Sequence, residues 1–222
     1  VDLTFTVQDA ARVPYAAVPT LSFALRIDAP ADVDVRSILL DTQIQIAARR
    51  RGYDPAVQER LFELFGPPGD WGRTLRTLLW TRLTTLVPPF TGSTVVDLPV
   101  VCTYDLEVVA SRYFDALGDG AVPLELLFSG TVFSASGPGG GLQAERISLS
   151  EEAECRLPVA VWKETLERYF PGTAWLRVGK ERFDRLAAFK ARHALATWDD
   201  ALDALLAAEG AAVIEEARTW TR

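Results

Sequence analysis

Leu21-Ser22-Phe23-Ala24-Leu25-Arg26-Ile27-Asp28 is the stretch that decides how the chain begins to fold. Its odd-numbered residues are large and apolar, and its even-numbered residues are polar or small. That period of two places Leu21, Phe23, Leu25 and Ile27 on one face of an extended strand and leaves the other face to water. Upstream, Leu3, Phe5 and Val7 alternate with Thr4, Thr6 and Gln8. Downstream, after the turn-forming Ala29-Pro30-Ala31-Asp32, the alternation resumes through Ile38, Leu40, Thr42, Ile44 and Ile46. Three such segments in succession predict an antiparallel sheet covered on one side.

The pattern then changes to helical. Asp54-Pro55 pairs a capping carboxylate with a proline whose missing N–H costs nothing at the first helical position. Val57, Leu61, Leu64 and Phe65 share a face, and Gly66-Pro67-Pro68-Gly69 ends the element. Residues 71–87 fit either helix or strand. Pro88 to Ser93 is a loop, and Val95 to Val101 is β-rich, with Pro99 marking an edge or a break. Tyr104–Leu117 and Leu124–Ala135, joined by Gly118-Asp119-Gly120, are expected to form a long hairpin. Ser136 to Gly141 reads as a hairpin tip, since no helix opens behind it as a phosphate-cradling loop requires. Helices follow from Pro158, over Phe183–Lys190 and over Trp198–Leu206. Thr197 and Asp200 resemble a capping box for the last of these.

These elements predict one α+β domain over residues 1–208, mainly an antiparallel β-sheet with C-terminal helices packed on it. Residues 51–90 form an insertion between strands, and residues 209–222 a C-terminal arm. The longest apolar runs fall well short of the roughly 20 residues a membrane helix needs, and the first residues lack the pattern of a secretory signal. Cytoplasm is the expected location, without membrane insertion. A net charge of −7 argues against a nucleic-acid partner. The basic run Arg49-Arg50-Arg51 is expected to be a solvated strand end, with a phosphate or acidic-partner contact as the alternative.

Residues that could carry chemistry are few. Cys102, Cys155 and His193 are the only thiol and imidazole groups, and none are spaced for a shared zinc site. No metal or other cofactor is therefore expected. A nucleophile activated by histidine would have to use His193, which instead reads as a helix-end residue. Cys102, beside Val100-Val101, reads as a buried small hydrophobe. Asp97, Asp105 and Glu107 could form a carboxylate pair only in three dimensions, and outward solvation is their expected state. No catalytic residue is assigned.

The six tryptophans carry more weight. Trp162, Trp175 and Trp198 sit at helix starts or beside apolar faces and are expected in the core. Trp71, in Gly69-Asp70-Trp71-Gly72, has no periodic face to join and is expected to be an exposed contact. With Trp80 and Phe90 it forms the expected binding set, all three within the 51–90 insertion.

Arg73-Thr74-Leu75-Arg76-Thr77-Leu78-Leu79-Trp80 and Val87-Pro88-Pro89-Phe90-Thr91-Gly92-Ser93-Thr94 carry a resemblance. So do Leu124 to Phe133 and the tail from Trp175 to Trp198. Together they resemble an uncharacterised bacterial family encoded beside nickel–iron hydrogenase genes. The resemblance implies a partner context in hydrogenase expression or maturation and assigns no functional residues. More loosely, the expected hairpin, Gly130-Thr131-Val132-Phe133 and Leu157-Pro158 resemble the element order of SecB-type export chaperones. The resulting expectation is a non-catalytic protein-binding or assembly accessory, chaperone-like, whose partner is another protein such as a hydrogenase subunit or maturation factor. A homo-oligomer is compatible with it. The alternatives are a carboxylate-based acid–base enzyme and a structural subunit that self-assembles through a sheet edge.

Overall fold

The computed structural model describes residues 1–103, 108–135, 141–148, 150–173, 175 and 177–219. In chain order the strands are β1 (Thr4–Arg12), β2 (Thr20–Asp28), β3 (Asp34–Ile46), β4 (Leu78–Val87), β5 (Phe90–Thr91), β6 (Ser93–Val101), β7 (Ala121–Ala135), β8 (Leu142–Arg146) and β9 (Glu152–Pro158). The helices are α1 (Pro55–Arg60), α2 (Phe62–Phe65), α3 (Trp71–Thr74), α4 (Val109–Ala116), α5 (Val159–Tyr169), α6 (Lys180–Arg192) and α7 (Trp198–Thr219). The chain is α+β with antiparallel pairing throughout its described ladders. It divides into two compact units, Val1–Trp175 and Leu176–Arg222, and the boundary falls inside the 1–208 span expected to be one domain.

The first unit holds two sheets. One has the order β1-β2-β6; the other has the order β4-β3-β7-β8, with β5 also on β3 and β9 also on β7. The third alternating segment therefore leaves its predecessors: β3 pairs with β4 and β7, and not with β2. Alternation shows which face is buried but not which neighbour supplies the hydrogen bonds. The buried faces themselves agree with the sequence. Leu21, Phe23, Leu25 and Ile27 are fully buried, as are Ile38, Leu40, Ile44 and Ile46. The core lies between the sheets, where Phe5 of β1 stacks on Phe128 of β7 at 4.3 Å and Phe23 of β2 meets Trp80 of β4 edge-on. Pro99 sits in β6, an edge strand of its sheet, where its missing N–H is tolerated.

Leu124–Ala135 lies in a strand, but its expected hairpin partner is mainly helical where it is described, and residues 104–107 of that partner lie outside the described set. Residues 109–116 form α4, which buries Ala110, Tyr113, Phe114 and Ala116 on one side. That hairpin is one part of the SecB likeness, which is not confirmed. β7 instead takes β3 along one edge and, along the other, β9 followed by β8. The exchange of partners falls at Gly130, whose φ is +140° and whose added Cβ would lie 2.0 Å from the Leu39 carbonyl oxygen. Only glycine permits that approach. The pairing of Ala135 with Leu142 brackets the expected hairpin tip, of which residues 136–140 lie outside the described set.

Residues 71–87 resolve into α3 and β4. The Asp54 carboxylate accepts the Val57 N–H at 2.8 Å, as the capping pattern predicts. α5 belongs to the first unit and packs into it through buried Val159, Trp162, Thr165 and Leu166. The second unit is a pair of helices, α6 and α7, where Phe183 meets Trp198 at 5.2 Å. Thr197 and Asp200 exchange side-chain-to-backbone hydrogen bonds of 2.8 and 3.0 Å, completing the capping box. α7 continues to Thr219, so most of the expected arm is helical.

Candidate protein-binding surface

Trp71 is not an exposed contact. It is 9% exposed, and its indole N–H donates to the Gly66 carbonyl at 2.9 Å. Tyr53 meets it edge-on at 5.3 Å and Phe65 at 6.0 Å. Exposure is expected from the sequence, but Trp71 opens α3 and turns inward together with Leu75, the buried C-terminal cap of that short helix one turn on. Tyr53 and Phe65 form the cage, backed by Tyr113, and no local pattern in the sequence links these residues to Trp71.

Trp80 is half-buried and belongs to a second cluster. It lies 5.1 Å from Phe114 and 5.7 Å from Trp162, while Phe114 and Trp162 stack at 4.3 Å. The β3–β4 register slips at this point, since Ile44 faces Thr81 and Gln45 faces Leu79. Trp80 is the extra residue, and such a bulge re-aims a side chain. Phe90, in β5 opposite Val35, is half-buried against the core. The structure thus joins Trp80 to Phe23, Phe114 and Trp162, and places Trp71 against Tyr53 and Phe65. It links the two groups through the Tyr113–Phe114 contact at 6.0 Å and leaves Phe90 apart from both.

The large exposed apolar side chains of the insertion are Phe62 on α2 and two leucines on β4. Leu79 is 49% exposed and Leu86 is 70% exposed, on the outward side of the strand. Leu86 is the register partner of Leu39 on β3, itself 44% exposed. The same face carries Arg82, which donates to Gln43 at 3.2 Å, and Thr84, which donates to Asp41 at 2.5 Å. It is an apolar pair at one end of a polar, hydrogen-bonded ladder.

Each arginine of the basic run has a partner, although the buried Arg51 Nε has none among the described residues. Arg49 donates to the Leu75 carbonyl, Arg50 pairs with Glu125 and Glu154, and Arg51 donates to the Asp119 and Ala121 carbonyls. The run ties the turn after β3 to β7, β9 and the C-terminal cap of α3, with Arg50 alone facing carboxylates among the described residues. His193 is the exposed C-terminal cap of α6. Cys102 is buried and its thiol is pushed up to about 12 by desolvation; burial does the same to Cys155. Asp97 is exposed and accepts from Ser22 at 3.2 Å. Asp105, Glu107 and Trp220 lie outside the described residues. Trp162 is buried as expected, whereas Trp175 and Trp198 are 57% and 42% exposed. An open cleft of about 600 Å³ follows α5, with Trp162 and Leu166 at its floor and exposed Asp115, Glu164 and Glu167 on its walls.

These features define an α+β protein built on two antiparallel sheets that enclose an aromatic-rich core. Among the described residues, no three His, Cys, Asp or Glu side chains gather as a metal site, and no helix is long and apolar enough to cross a membrane. The chain belongs to DUF6084, a family of unknown function, which matches it over residues 1–213. No curated protein matches it. Among solved structures, a protein assigned to the late embryogenesis abundant group is 17% identical with a TM-score of 0.33, over 71% of this chain and 72% of that one. The β-glucosidase of Kluyveromyces marxianus is 9% identical with a TM-score of 0.26, over 70% of this chain and 15% of the enzyme. A protein described as ApaA from Bordetella pertussis is 13% identical with a TM-score of 0.23, over 70% of this chain and 92% of that one. Likenesses at these scores carry no argument about function.

Proposed function

We propose that the chain is a non-catalytic protein-binding accessory, and that it binds through the outward face of β3 and β4. The observation behind this reading is the Leu39–Leu86 pair, two large apolar side chains held in register on a rigid ladder and left to water. Burying such a pair against a partner contributes about 1.5–3 kcal/mol per side chain before association costs. The partner is a protein. The resemblance to a hydrogenase-linked family supplies a hydrogenase subunit or maturation factor as its class. The carboxylate-enzyme alternative would use the α5 cleft, whose carboxylates stand exposed on an open surface; a general acid is usually raised by burial.

The test is affinity capture from the native host with wild type, Leu39→Asp/Leu86→Asp and His193→Ala. The accessory reading expects a protein, identified by mass spectrometry, that is retained by wild type and His193→Ala. It expects that protein to be lost from the leucine double variant at an unchanged melting temperature. Equal recovery by all three removes the surface assignment. Recovery of nothing but the chain itself removes the accessory reading.

A further inference from the structure

We propose that the α6–α7 unit is a self-association module, in which the groove of one copy receives the exposed stripe of α7 from a second copy. This goes beyond the binding function proposed for the first unit and does not depend on it. On α6, Arg182, Arg185, Phe189 and Arg192 follow the spacing i, i+3, i+7, i+10 and so share one face. They border a groove of about 630 Å³ whose apolar floor includes Leu186, Phe189 and Leu205. No ion pair among the described residues engages the three arginines.

α7 carries the complement. Asp199, Leu202, Asp203 and Leu206 follow i, i+3, i+4, i+7 on a stripe beside the one that meets α6. Leu202 is 43% exposed and Leu206 is 64% exposed. From residue 198 to residue 208 the helix has acids and no base. An apolar groove rimmed by arginines thus stands on the same unit as an apolar stripe flanked by aspartates. Each matches the other in charge and in character. The two cannot meet within one copy, because both lie on the outer surfaces of a helix pair. A two-fold axis satisfies both at once, as an isologous interface requires: groove on stripe and stripe on groove, in a four-helix arrangement. Opposite charges at the rim set the register, and the leucines supply the burial.

Sedimentation velocity on the full chain tests this. Wild type at about 100 µM should run at twice its 24.4 kDa monomer mass, with a dissociation constant weakened several-fold by 1 M salt. Arg182→Glu/Arg185→Glu and Asp199→Lys/Asp203→Lys should each weaken self-association at least tenfold, with circular dichroism confirming retained helix. Mixing the two variants should restore a dimer containing one chain of each, because every groove then meets a stripe of opposite charge. Leu206→Asp, an exposed change that the fold tolerates, should also give monomer. The proposal fails if wild type is monomeric, which leaves the groove to another protein's acidic helix. It also fails if the charge-reversed variants dimerise like wild type, or if their mixture stays monomeric.

Discussion

The phenol of Tyr53 lies 2.7 Å from the phenol of Tyr113, sixty residues further along the chain. Tyr53 also donates to the Ala48 carbonyl at 2.7 Å. A phenol has one hydrogen, so Tyr113 is the donor in the shared bond. The relay fastens the turn after β3 to α4. Tyr113→Phe removes a donor from an oxygen that keeps its other bond and should cost about 1 kcal/mol. Tyr53→Phe strands the buried Tyr113 hydroxyl and frees the Ala48 carbonyl, for about 1–3 kcal/mol. Urea unfolding of both variants and the double variant should show this asymmetry and a non-additive coupling.

The same two phenols predict alkaline behaviour. Burial raises both above the ordinary tyrosine value. The fold therefore prefers the neutral forms, and ionisation favours the unfolded chain. Their contribution is fully present below the unfolded value of about 10 and is lost as pH rises through the folded values. Titration of tyrosinate absorbance should leave two of the five tyrosines un-ionised until the chain unfolds.

Gly130→Ala should be among the most damaging small substitutions. Its methyl group would lie 2.0 Å from the Leu39 carbonyl oxygen, and its φ of +140° is foreign to L side chains. A loss of at least about 2 kcal/mol is expected. Thermal unfolding of this variant beside Gly141→Ala, whose Cβ meets nothing within 4 Å, isolates the effect.

Trp71→Ala should destabilise by about 3–5 kcal/mol, as truncation of a buried tryptophan does. Trp71→Phe keeps the aromatic contacts with Tyr53 and Phe65 and loses the bond to Gly66, so its cost should be clearly smaller. Denaturant midpoints decide between them. Any loss of partner binding by Trp71→Ala should match its loss of folded protein.

Both thiols should be silent in the folded state. With each pushed up to about 12 by burial, Ellman's reagent at pH 8 should meet little thiolate at either. Two equivalents should react once guanidinium unfolds the chain.

The capping box of α7 should weaken in acid. The Thr197 hydrogen bonds hold Asp200 below the usual carboxylate range, so its contribution is present above about pH 4 and fades as pH falls through the folded value. Amide exchange at the start of α7 should therefore quicken at low pH in wild type and much less in Asp200→Ala.

The buried faces of β1, β2 and β3, the Asp54 cap, the Thr197–Asp200 box and the edge position of Pro99 were legible because each is a local pattern with one physical solution. The division into two sheets was not, since Ile38–Ile46 reads the same whichever strands flank it. Tyr104–Leu117 misled because an apolar stretch with aromatics suits a strand as well as a helix. The binding set misled for a related reason. Glycines around Trp71 mark irregular backbone, but irregular backbone can fold inward when Tyr53 and Phe65 wait there. Leu79 and Leu86 carry a readable signal, apolar residues on the polar phase of β4.

Strand β3 acquires its β4 ladder from residues 78–87 but its β7 ladder only from residues 121–135. At ribosomal speeds of about 5–20 residues per second, the chain needs roughly 4–18 s to pass from the end of β3 to the end of β7. Throughout that interval one edge of a thirteen-residue strand, apolar on alternate positions, has no mate of its own. An unpaired edge of that kind invites association with other chains, so the interval before Ala135 emerges is the stage of synthesis at which a holding chaperone would matter most.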